Sequence, residues 1–340
     1  MLEKIKLKII ESRLQLSILV VLIIVFVLFA IGNPRTFLSY RIYYAFMSTI
    51  PFAAILALSL TPVIILGEID LSFPSVMGFC AWAFAAVFNQ TSNIYIALVV
   101  SLAIGLIAGF INSVLIVRIG IPSLIVTIGM QYLWRGLVMI ASGGLGLSLV
   151  NSQGTILYKA LVGRIGGVVP AQAVWAAAIA VLFGLILNRH RFGAHILYSG
   201  DDAVSAKMMG VNVERVKTIV FMQVGVCAAL VGMLVNMEVL YFWPSTGEGY
   251  LMKTLASVFI GGTSVFGGMG TIFGTFIGAI IMGSLEAGIV SSGISGFWTQ
   301  FIFGLVIVLS LTIYAYMNKR LNLGRRLIRA IKLLFGRVEK

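Results

Sequence analysis

Apolar runs close to the length of a bilayer crossing recur along the chain, separated by short polar gaps. They stand at 15–32, 46–67, 72–89, 94–117, 122–142, 170–188, 217–240, 252–266, 271–290 and 297–317. A helix needs about 20 apolar residues to cross the hydrocarbon core, so the pattern predicts an all-α polytopic membrane protein of about ten transmembrane helices. No gap is large enough for a soluble domain, and residues 1–340 read as a single transmembrane domain. The 15–32 run lacks a small-x-small cleavage site and exceeds a signal-peptide core, which makes it a retained first span.

Two of the runs are interrupted. "GEIDLS" at 67–72 and "GGTSVFGGMG" at 261–270 put glycine and polar residues where the flanking sequence is apolar. Inside a bilayer such breaks leave backbone groups unpaired unless they are buried in protein or line a watery cavity. Discontinuous helices in both halves of a chain point to a transport path.

Composition narrows the class. The chain is 60% hydrophobic and 10% charged, with a mean hydropathy of +1.08, against roughly 25% charged residues in soluble domains. The net charge of +13 does not indicate nucleic acid, because the basic residues cluster in the N-terminal stretch, the 189–216 loop and the 318–340 tail, as the positive-inside rule expects of cytoplasmic segments. With both termini inside, Arg118, Arg189, Arg191, Lys207 and Arg215 also fall inside, while 143–169 falls outside with only Lys159 and Arg164. That outer segment is glycine-rich at both ends and is expected to hold a short surface helix. Residues 1–14 and 318–340 place Ile and Leu among Lys and Arg, as interfacial segments on membrane lipid do.

Enzyme chemistry finds no support. Cys80 and Cys227 lie in apolar runs without disulfide or metal-ligand spacing. His190 and His195 stand beside arginines with no acidic cluster, and there is no phosphate-binding G-x-x-x-x-G-K-[ST] loop. Catalytic residues, a metal site and ATP hydrolysis by this chain are therefore not expected.

Glu68 and Asp70 are the acids nearest the membrane interior in the first half. An intramembrane carboxylate is a candidate functional group, but Asp70 or Ser72 could equally cap the following helix, with Pro74 in its first turn. Glu286 follows a glycine-spaced face, Gly274, Gly278 and Gly283, suited to close helix contact; it is expected near the outer mouth or at a subunit interface. In the 189–216 loop, Asp201 and Asp202 lead a short helix that Gly210 ends. That helix is either a connector or a docking surface.

Five stretches carry a resemblance: "GEIDLS" at 67–72, "IPSLIVTIGMQYLWRGL" at 121–137, "RFGAHILYSGDDAVSAKMMGVNVERVK" at 191–217, "GGTSVFGGMGTIFGTFIGA" at 261–279 and "FWTQFIFGLVIVL" at 297–309. In this order and spacing the chain resembles the permease subunits of bacterial ABC importers for simple sugars, the ribose, xylose and galactofuranose permease family, over nearly its whole length. The resemblance implies an inner-membrane permease that pairs with a second copy or a related permease. It also implies a periplasmic solute-binding protein that delivers the sugar, and cytoplasmic ATPase subunits that carry the ATP and Mg. Those ATPases would dock on a coupling helix, with Asp201, Asp202, Ala203 and Gly210 as the expected contact.

Hydrogen-bonding and aromatic side chains suit a sugar path, and Glu68, Asp70, Gln131, Trp134, Trp298 and Gln300 are its candidates. The chain departs from the family where Phe73 and Pro74 replace "VG" and where "SGDD" at 199–202 replaces "GGNE". The alternative is an ion-coupled secondary transporter or channel, which also uses broken helices and buried carboxylates.

Overall fold

The computed structural model describes the backbone of residues 2–291, 293 and 295–317, and the side chains of 15–291, 293, 295–310 and 312. The interfacial tail expected at 318–340 and the side chains of 1–14 lie outside the described residues.

Helix α1 (Leu2–Gly32) runs unbroken across the expected boundary between interfacial segment and span. Asn33 then accepts from the Thr36 amide and starts the short α2 (Pro34–Phe37), whose Pro34 fits the first turn. Helix α3 (Tyr40–Ile65) begins at its cap Ser39, earlier than the apolar run suggests. Its most apolar window is 94% buried, as befits a helix apolar on every side, and it forms the centre of the molecule. Past the first break come α4 (Phe73–Thr91), α5 (Ile94–Ser113), extended by a π turn to Arg118, and α6 (Ser123–Ser142).

The 143–169 segment contains the expected short helix, α7 (Ile156–Val162), capped by Thr155. Around it, β1 (Leu147–Ser148) pairs with a later strand, and β2 (Arg164–Ile165) forms a hairpin with β3 (Val169–Pro170). Helix α8 (Ala171–Arg189) crosses back to a pair of helices, α9 (Arg191–Asp201) and α10 (Ala203–Met208). The sequence pattern predicts one short helix led by both aspartates; the structure corrects this. His190 caps α9 by accepting from the Phe192 amide, Asp201 closes α9, and Asp202 alone caps α10.

Helix α11 (Val213–Val239) rises to β4 (Tyr241–Phe242), the partner of β1. The run expected at 252–266 is not one full-length helix: α12 (Tyr250–Ile260) has 11 residues, about 16 Å of helix, and ends at the second break. The chain resumes in α13 (Ile272–Ser291) and α14 (Phe297–Met317).

Among the described residues, seven helices are long and apolar enough to cross a membrane: α1 from Gln15, α3, α5 with its π turn, α6, α8, α11 and α13. Helices α8, α11, α12 and α13 pack around α3, and α4, α5 and α6 extend the bundle beyond α11. Backbone closeness replaces side-chain interdigitation at two crossings. A Cβ on Gly225 of α11 would lie 1.9 Å from the Gly105 carbonyl of α5, and one on Gly274 of α13 would lie 2.1 Å from that of Gly261. Small residues permit such approach between helices that lipid cannot drive together. The bundle has two ends, one carrying α7 and the other α9 and α10.

Candidate functional site

The two breaks and α9 meet around one carbonyl at the α9–α10 end. Ile65, the last residue of α3, accepts from the Gly268 amide at 2.8 Å. Gly200 presses on the same carbonyl, so that a Cβ there would stand 1.8 Å from the Ile65 oxygen, and a Cβ on Gly267 would stand 2.6 Å from the Gly200 oxygen. Deeper in the bundle, the Thr61 and Thr275 hydroxyls share a 2.8 Å hydrogen bond that ties α3 to α13. The Asp201 side chain lies beside Gly268, and the backbones of α9 and both breaks are in direct contact at this junction.

Asp202 holds the start of α10. Its carboxylate accepts from the Val204 amide at 2.9 Å, the Ser205 amide at 3.3 Å and the Ser205 hydroxyl at 2.7 Å. The Ser205 hydroxyl, then the Ser205 and Val204 amides, hold its pKa below the usual carboxylate range. Gly210, at φ +83°, stops the helix; its N–H donates to Lys207 and that of Val211 to Ala206, each at 3.0 Å, the paired bonds of a left-handed helix end. Ala203 is half-buried. Val204, Met208 and Met209 are exposed, Met208 to 83%, and form an apolar cap on the outside of the pair.

In the first break, Glu68 forms an ion pair with Lys217 of α11. The Ile69 amide donates to the Ser123 hydroxyl at 3.2 Å, which pins the break to α6. Asp70, 2% exposed, accepts from the Ser72 amide at 2.8 Å and the Ser72 hydroxyl at 2.7 Å. Asn112 donates to that hydroxyl at 2.8 Å. Ser72 makes no side-chain cap bond to α4; its hydroxyl is spent on Asp70.

Gln131 and Trp134 share a face of α6 three residues apart, where side chains stack on the same side. Gln131 is half-buried. Trp134 is buried, its ring 5.3 Å from Phe79, which stacks in turn on Trp82 at 5.4 Å. Trp298 and Gln300 are exposed at the start of α14, with Trp298 edge-on to Phe301 at 5.7 Å. The six path candidates thus form three groups, on the first break, on α6 and on α14.

Bases that partner the acids are absent from this expectation. Lys217 neutralises Glu68, Lys253 of α12 pairs with Glu286, and Arg135 of α6 donates to the carbonyls of Pro244 at 2.8 Å and Thr246 at 3.2 Å. Arg135 and Lys253 sit within apolar runs, and an intramembrane base is as informative as an intramembrane acid; that signal was available in the sequence. Among the described residues no group of His, Cys, Asp and Glu could hold a metal ion.

Residues 42–311 match the protein family described as "Branched-chain amino acid transport system / permease component". The chain is similar to the autoinducer 2 import system permease protein LsrC of Escherichia coli O157:H7, with 29% identity over 94% of this chain and 92% of the relative. The protein of the same name from Yersinia pseudotuberculosis serotype O:1b (strain IP 31758) is 28% identical over 89% and 85% of the two chains. That of Shigella flexneri is 29% identical over 89% and 87%. No solved structure gives a significant match.

Proposed function

Because the chain belongs to the family of branched-chain amino acid transport system permease components, we propose that it is the membrane-spanning subunit of an ATP-driven ABC importer for a sugar or sugar-like solute. The family description speaks of branched-chain amino acids, whereas the similar proteins are permeases of an autoinducer 2 import system. The five motifs shared with simple-sugar permeases favour the sugar-like solute.

The observation that carries this reading is the α9–α10 pair. It offers an apolar outer surface, Val204, Met208 and Met209, and its inner side rests on the glycine junction at Ile65. An ion-driven carrier has no use for such a lever. The ion-coupled alternative is also weakened by Glu68, already neutralised by Lys217, and by Asp70, enclosed by Ser72.

In this reading the α9–α10 end and both termini are cytoplasmic, which agrees with the clustered basic residues. ATPase subunits holding ATP and Mg dock on α10 through Asp201, Asp202, Ala203 and Gly210. A periplasmic binding protein delivers solute at the α7 end, and a second copy or a related permease completes the pathway. Closure of the ATPases moves α9, and the junction carries that motion into the breaks at 66–72 and 261–271, a small shift amplified by a packed interface. Glu68, Asp70, Gln131, Trp134, Trp298 and Gln300 are the proposed contacts along the path.

Reconstitution with the cognate ATPase and binding protein tests the function. ATP-dependent uptake of ribose, xylose, galactose or a related solute without an ion gradient is the expected result. Uptake that ignores ATP and follows a proton or sodium gradient would replace the importer with a secondary transporter.

A further inference from the structure

The segment from Trp243 to Lys253 descends from the α7 end into the bundle without being a helix for most of its length. Strand β4 before it pairs with β1 at that end, and Asn89 in the last turns of α4 bonds Ser148 of the same strand at 3.1 Å. Thr246 and Gly247 nevertheless lie against the opposite end of α4. A Cβ on Gly78 would be 2.7 Å from the Thr246 carbonyl, and one on Gly247 would be 2.0 Å from that of Pro74. At about 1.5 Å per residue of α4 the turn reaches roughly 15 Å or more below the α7 end, near the middle of a core about 30 Å thick.

Four charges gather on this segment and beside it. Arg135 binds the Pro244 and Thr246 carbonyls and stands 3.8 Å from Glu248; Lys253 pairs with Glu286. The bases are enclosed, with side chains 20% and 13% exposed, while Glu248 and Glu286 are 64% and 42% exposed. A carboxylate open at such depth faces water or protein rather than lipid. The indole N–H of Trp134 and the hydroxyl of Thr254, each one helix position from a base and so on a neighbouring face, have no hydrogen-bond partner among the described residues. Buried polar groups are rarely left unpaired without a ligand or water to meet them.

We propose that Arg135, Glu248, Lys253 and Glu286 form a solute-recognition station in the half of the membrane nearer the α7 end, selective for an uncharged polyhydroxylated molecule. The inference rests on the importer reading and names where its solute is held. Two bases and two acids sum to no net charge, so the station favours neither an anion nor a cation. The exposed carboxylates accept from solute hydroxyls, and the unshared ammonium protons of Lys253 donate to its oxygens. Each ion pair closes again when the solute leaves, which keeps binding weak enough for passage.

Two measurements on the complete reconstituted complex test this. A cysteine at Glu248 should react with a membrane-impermeant thiol reagent, whereas one at Ile107, exposed on apolar α5, should not; Cys80 and Cys227 are buried and give a low background. Equal labelling at the two positions would overturn the station without requiring a known solute. With ribose, xylose and galactose as probes and leucine as a control, E248Q and E286Q should raise the KM for uptake about tenfold or more while binding-protein-stimulated ATP hydrolysis stays within about twofold. Unchanged KM, or uptake of leucine in place of the sugars, would also overturn it. Labelling of the E248C complex alongside a wild-type complex that shows no ATP-dependent uptake of any probe would count against the importer, not against a water-lined station.

Discussion

Asp202 binds two backbone amides and a hydroxyl at the start of α10, so the helix depends on an oxygen acceptor at that position more than on a charge. D202A should therefore lower binding-protein-stimulated ATP hydrolysis several-fold, while D202S, which can still cap, restores most of it. Because the folded-state pKa is depressed, the contribution of this carboxylate is fully present above its ordinary unfolded value and is lost only as pH falls through the lower folded one. Coupling should show no loss from this group between about pH 6 and 8. Gly210 is in open space, but its φ of +83° costs a β-branched L-residue about 1–2 kcal/mol. G210V should reduce transport-coupled ATP hydrolysis and leave membrane insertion intact; normal coupling would detach Gly210 from the ATPase contact. Both residues are legible in the sequence as a helix start and stop. Asp201 is not, because whether it leads α10 or closes α9 depends on the docking of α9 against Gly268, a contact some seventy residues distant in sequence that no local pattern encodes.

Helices here are positioned by where backbones can touch. At the α5–α11 crossing a Cβ on Gly105 would stand 2.3 Å from the Gly225 carbonyl, whereas one on Gly136 of α6 meets nothing within 4 Å. G105V should lower the melting temperature of the purified subunit or prevent its folding, in keeping with the roughly 1–3 kcal/mol or more that overpacking costs. G136A should leave it unchanged or raise it slightly, since alanine is the better helix former. Equal behaviour of the two variants would show that α5 and α11 can separate freely. The glycine spacing of α13 announces this kind of contact in the sequence, but the partner carbonyls do not. The α12 segment marks the corresponding limit for apolar runs: hydropathy alone cannot separate a full span from an 11-residue helix that starts inside the bundle after a non-helical descent.

At the scale of the molecule, the contact of Gly200, Ile65 and Gly268 joins the α9–α10 lever to both broken helices. G200A would place a methyl 1.8 Å from the Ile65 carbonyl and should separate the lever from the breaks. Basal ATP hydrolysis by the docked ATPase should persist while its stimulation by the binding protein falls about tenfold, as expected when coupling between sites is lost. Full stimulation in G200A would move the coupling route elsewhere. The sequence by itself determined the membrane class, the order of apolar segments, the two breaks, the short helix in the 143–169 segment and the family, because each follows from composition or from local residue order. Only the tertiary structure decided that Glu68 is neutralised by Lys217, that Asp70 spends its bonds on Ser72, that α12 begins deep in the bundle, and that the two breaks share one carbonyl with α9. These are pairings between segments far apart in the chain, set by which backbones approach closely enough to exclude a side chain, and periodicity carries no record of them.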